Sequence, residues 1–150
     1  DASGSFLFAA LHRAGFASKP ISLSMDDDLR LKDVFITALA RCAPPGNKPT
    51  TEEFRNCRKY LIREIALFDN LEGIVALGAL AYQHVLEIYR LSGYRGNHPA
   101  FGHGVMTHFD EGGPWVMASY HPSRQNTQTG RLTKEMFDQI WEKAGDLLNG

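Results

Sequence analysis

Trp115-Val116-Met117-Ala118-Ser119-Tyr120 is a short apolar run of bulky side chains, the composition of a strand buried on both faces. It runs straight into His121-Pro122-Ser123-Arg124-Gln125-Asn126-Thr127-Gln128-Thr129-Gly130-Arg131, which gathers one imidazole and two guanidiniums among other hydrogen-bonding side chains. A helical pattern then begins at Leu132-Thr133-Lys134-Glu135-Met136-Phe137. A polar segment between the carboxyl end of a strand and a helix is where open α/β sheets hold their ligands, and a base, a phosphate or a sugar suits these donors. The competing reading is an ordinary solvated connection in which His121 is a satisfied structural histidine.

Working outward, Met136, Phe137, Ile140, Trp141, Ala144, Leu147 and Leu148 mark the inner face of a final helix. Upstream, Gly73-Ile74-Val75-Ala76-Leu77-Gly78 repeats the pattern of a short buried strand closed by glycine, and Leu80, His84, Val85, Ile88 and Leu91 follow at helical spacing. Between these units the pattern weakens from Ser92 to Gly113, with Gly102-His103-Gly104 before an edge strand expected at Val105–Phe109. Val34-Phe35-Ile36-Thr37-Ala38-Leu39-Ala40 is β-branched and apolar and predicts another buried strand. It ends at Arg41-Cys42-Ala43-Pro44-Pro45-Gly46-Asn47-Lys48-Pro49, where three prolines forbid helix and strand alike. Thr50 or Thr51 then caps a helix with Glu52 and Glu53 in its first turn and Phe54, Cys57, Leu61, Ile65 and Phe68 inside. Near the start, Phe6, Leu7, Ala10, Leu11 and Ala14 predict a helix over 4–15, closed by Gly15 in a left-handed cap. The acidic triplet Asp26-Asp27-Asp28 between these units is read as a solvated turn. Alternating strands and helices predict a three-layer α/β/α domain around a mostly parallel, four-stranded sheet, with the proline loop and the histidine loop on one rim.

The 150 residues suit a single domain with a real core. Sixteen basic against seventeen acidic residues give a formal net charge of -1, so nucleic-acid binding would need a local patch, which the 121–131 segment supplies. No run approaches the roughly 18 apolar residues of a membrane span, and the first residues carry no signal-peptide pattern, so a soluble cytoplasmic protein is expected. Cys42 and Cys57 are the two cysteines. A disulfide does not suit that compartment, a zinc or iron–sulfur site needs about four ligands, and isolated buried thiols are common, so spacing alone leaves their role open.

Asp1-Ala2-Ser3-Gly4, Leu11-His12-Arg13-Ala14-Gly15-Phe16, Arg41 through Thr50, Ile74-Val75-Ala76-Leu77-Gly78 and His121 through Thr133 together resemble the type b (family 5) uracil-DNA glycosylases of the iron–sulfur branch. The resemblance spans the whole chain, and its most specific parts are the proline loop and the histidine loop in the right order and separation. It implies removal of uracil, and in this branch often of other deaminated bases such as hypoxanthine, by hydrolysis of the N-glycosidic bond in DNA. By similarity His121 is the donor to the leaving base, Asp1 the carboxylate near sugar and water, and Asn47 the amide that orients water or the extruded nucleotide. Arg124, Gln125 and Asn126 would fill the emptied base stack, while Lys48, Ser123 and Arg131 would hold phosphates. Cys42 and Cys57 look like the last two of four thiolates on a 4Fe-4S cluster. The family's first two cysteines, its first strand and its glycine- and alanine-containing motif have no counterpart in this sequence, which implies a single glycosylase-like domain truncated at its N-terminus. DNA is the implied partner, single- or double-stranded, and a monomer is expected. The competing classes are a nucleic-acid-binding module of the same fold without chemistry, and an α/β domain with an unrelated small ligand.

Overall fold

The computed structural model describes residues 2–21, 28–38 and 51–150. Helix α1 (Ala2–Arg13) buries Leu7, Ala10 and Leu11, and Gly15 at φ 88° turns the chain just beyond it, as the apolar spacing and the glycine foretell. Helix α2 (Thr51–Ala66) precedes strand β1 (Gly73–Leu77), helix α3 (Ala79–Leu91), strand β2 (Met106–Thr107) and strand β3 (Trp115–Ser119). A five-residue helix α4 (Arg124–Gln128) and the long α5 (Lys134–Asn149) complete the order.

The described strands form one mixed sheet in the order β1-β3-β2. β1 and β3 run parallel in the register Gly73↔Trp115 to Leu77↔Ser119, and β2 is an antiparallel edge of two residues beside β3. Side chains alternate across β3 as a strand requires. Met117 packs with Leu7, Leu11, Phe137 and Ile140 from α1 and α5, while Val116 and Ala118 pack with Tyr82, Val85 and Tyr89 from α3. The three layers are therefore α1 and α5, the sheet, and α3 with Ile65 of α2. Arg13 of α1 donates from both Nε and Nη2 to the carboxylate of Asp138, a forked ion pair that links α1 to α5.

Two expectations change. The strand predicted over 34–40 is not formed in its described part, since residues 34–38 carry no strand hydrogen bonds and all but Val34 are exposed. A β-branched run becomes a strand only where a neighbouring strand takes its backbone groups, and residues 34–38 instead form one wall of a cleft whose other wall is β1. The described residues accordingly give three strands rather than four, with one parallel and one antiparallel pairing. That cleft holds about 1260 Å³ and is lined by Phe35, Ile36, Phe68, Ile74, Val75 and Leu77 among others. Its apolar walls leave Phe35 57% and Leu80 56% exposed.

Candidate functional site

Parallel pairing of β1 with β3 brings their carboxyl ends side by side, so Gly78 and His121 meet on one rim. The Gly78 N–H donates to the Ser119 carbonyl at 2.8 Å, continuing the ladder one residue past β1. Gly78 sits at φ 100°, and a Cβ built on it would lie 3.5 Å from His121 Cβ. Glycine thus does two things there: it takes a left-handed backbone that turns β1 into α3, and it clears the flank of His121.

His121 lines the cleft and is exposed to solvent. Partial burial of the ring by its surroundings pushes its pKa below the ordinary 6.5, so the imidazole is neutral at pH 7 and carries one N–H. Among the described residues no hydrogen-bond partner takes either ring nitrogen. The ring is held through its backbone instead: the Asn126 amide Nδ2 donates to the His121 carbonyl at 2.9 Å. Pro122, the next residue, is fully buried and anchors the chain beneath.

The polar segment after His121 is more ordered than its composition suggests. Ser123 is extended (φ −69°, ψ 156°) and its Oγ accepts from the Asn126 N–H at 3.2 Å, capping α4. Thr129 Oγ1 donates to the Gln125 carbonyl at 2.7 Å, and the Leu132 N–H donates to the Asn126 carbonyl at 3.0 Å. Gly130 at φ 78° then turns the chain toward α5, whose own N-cap, Thr133, accepts from the Met136 N–H at 3.1 Å. Arg124 and Gln125 project into solvent from the first turn of α4. Arg131 is also exposed, with its guanidinium 4.8 Å from the centre of the Tyr120 ring.

Of the residues singled out from the sequence, His121, Ser123, Arg124, Gln125, Asn126 and Arg131 share this rim. Two of them have internal partners that composition does not reveal, because Ser123 caps α4 and Asn126 ties the histidine. Asp1, Cys42, Asn47 and Lys48 lie outside the described residues, and Cys57 lies on α2 with its side chain outside them. Among the described residues no group of three or more His, Cys, Asp or Glu side chains could hold a metal ion. No helix among them is long and apolar enough to cross a membrane. In the sequence Gly78 closes a strand and ends one of the stretches that carry the family resemblance, with no sign of its contact with His121. Its place beside His121 follows from the parallel register, a signal present once Gly73–Gly78 and Trp115–Tyr120 are taken as neighbours.

Comparison with known proteins adds a family. Residues 1–145 match the family described as the uracil DNA glycosylase superfamily. The chain is 50% identical over 145 residues to a type-5 uracil-DNA glycosylase of Thermus thermophilus, covering 96% of this chain and 64% of that protein. It is 47% identical over 149 residues to a type-5 uracil-DNA glycosylase of Mycobacterium bovis, covering 98% of this chain and 54% of that protein. A type-4 uracil-DNA glycosylase of Archaeoglobus fulgidus is 42% identical over 65 residues, 42% of this chain and 32% of the relative. The chain therefore spans less than two thirds of the length of these relatives.

Proposed function

The chain belongs to the uracil DNA glycosylase superfamily, and from that we propose that the protein excises uracil from DNA by hydrolysing the N-glycosidic bond of a flipped-out nucleotide. The observation that carries the reading is His121. A neutral imidazole stands at the carboxyl end of a parallel strand, its ring nitrogens without partners among the described residues. When the bond between sugar and base breaks, its electron pair goes to the base and positive charge grows on the sugar. An N–H aimed at a base oxygen stabilises the departing anion, and a preorganised donor of this kind contributes roughly 3 kcal/mol in the transition state. A cationic imidazole is not required for this, because the neutral ring keeps one N–H to donate.

The remaining roles complete the reaction. By similarity Asp1 is assigned the carboxylate near the sugar and the attacking water, and Asn47 the amide that orients that water or the extruded nucleotide. Extruding the base costs a few kcal/mol of stacking and pairing, and Arg124 and Gln125 on the exposed turn of α4 are assigned to the vacated stack. Asn126 belongs with them in the same segment, although its bond to the His121 carbonyl makes it a brace of the donor as well. Ser123, Arg131 and Lys48 are assigned to phosphates.

Cys42 and Cys57 are proposed as two of the four thiolates of a 4Fe-4S cluster with a structural role, since hydrolysing a glycosidic bond transfers no electron. Iron and acid-labile sulfide in the purified full-length protein, lost in Cys57→Ser, would support this, and their absence from the native protein would remove the cluster. The sheet of the whole protein is proposed to be four-stranded, the fourth strand lying in the cleft along the outer edge of β1. The decisive experiment for function is incubation with an oligonucleotide containing one uracil. Release of free uracil is expected, whereas DNA binding without base release would assign the protein to the non-catalytic module.

A further inference from the structure

β3 ends at Ser119, and the next backbone donor, the N–H of Tyr120, has passed the end of β2. It is received by a side chain: Tyr120 N–H donates to His103 Nδ1 at 3.0 Å. Because Nδ1 accepts, the ring proton belongs on Nε2, which faces the Met136 carbonyl of α5 at 3.2 Å. The His103 and Tyr120 rings also meet at 5.0 Å between centroids. His103 itself is held by the backbone on its other side, where the Gly104 N–H donates to the Ala118 carbonyl at 2.8 Å. One imidazole thus replaces a strand partner at the last residue before His121 and links that residue to α5.

We infer that His103 is a positioning residue for His121, its neutral Nδ1 fixing the Tyr120 peptide from which the His121 side chain is aimed. The inference rests on the glycosylase reading only for its effect on rate. A peptide free to rotate at Tyr120 would swing the His121 ring, and misplacement of a catalytic group by about 1 Å costs up to about 100-fold.

Two substitutions separate the two bonds. In His103→Asn the amide oxygen stands near the Nδ1 position and keeps the acceptor for Tyr120 while losing the reach to Met136. In His103→Gln the longer side chain keeps that reach and loses the acceptor. In the full-length protein, His103→Asn is expected to release uracil within about threefold of the native single-turnover rate. His103→Gln is expected to fall by about 10- to 100-fold with duplex affinity almost unchanged. Amide hydrogen exchange at Tyr120 and the ring resonances of His121 give a readout that needs no activity. Tyr120 should stay protected in the Asn variant, and in the Gln variant it should exchange fast while the His121 signals shift. Equal rates in the two variants, or a protected Tyr120 amide and unmoved His121 signals in His103→Gln, would overturn the positioning role. No uracil release by the native protein, with the Tyr120 and His121 effects still present, would overturn the glycosylase reading and leave the positioning intact.

Discussion

His121 owes its protonation state to its place on the rim: the ring is desolvated by its surroundings, and no carboxylate is among the causes of its shift. In the unfolded chain such an imidazole titrates near 6.5, and in the fold its midpoint is lower, so between the two values the unfolded chain binds more protons. The stability this residue contributes is full above 6.5 and is lost as pH falls through the folded midpoint. A titration of the His121 ring signals by NMR should give a midpoint below 6.5; one above it would mean that a negative group reaches the ring. The position of this residue was legible from the sequence, because a histidine just after a buried strand lies at that strand's end. Its supports were not. Gly78, Asn126 and His103 are brought to it by register and by backbone hydrogen bonds, which residue type alone does not specify.

Among the elements, β1, β3, α3 and α5 stand where hydrophobic periodicity puts them, because each presents one or two faces that only the core can satisfy. Two stretches were illegible for opposite reasons. Arg124–Gln128 has no apolar face, and it is helical because Ser123 caps it and Thr129 closes it, so its signal lay in capping rather than in periodicity. Residues 34–38 have the composition of a strand but pair with no strand among the described residues, so tertiary context overrides propensity. Capping also sets the start of α5, where Thr133 takes the Met136 N–H and Glu135 faces the positive end of the helix. Thr133→Ala should lower stability by about 1 kcal/mol in urea denaturation, with an unchanged slope. A loss well under about 0.3 kcal/mol would show that the packing of Phe137 and Trp141 alone holds the first turns.

At the scale of the whole molecule, a net charge of -1 provides no general attraction for DNA, so binding depends on where the cations stand. Arg124 and Arg131 are exposed on the same rim as His121. Arg124→Ala should weaken duplex binding and reduce the log-log salt slope by about 0.9 if the guanidinium neutralises one phosphate. If it also props the vacated stack, the loss should be larger for a matched uracil pair than for uracil in a single strand, where extrusion costs little. An unchanged slope would move the DNA face away from α4. Layer architecture could be read from the order of strands and helices, whereas the cleft beside β1, an edge without a strand partner among the described residues, could not, because it depends on which strands pair. The reaction itself is tested most directly by His121→Ala in the full-length protein, measured in single turnover on duplex containing uracil beside the binding affinity for the same duplex. The rate of uracil release should fall by about 100-fold or more while affinity changes by less than about threefold, because the hydrogen bond strengthens only as charge reaches the leaving base. A native rate of release, or equal losses of rate and affinity, would contradict the assignment of His121 as the donor.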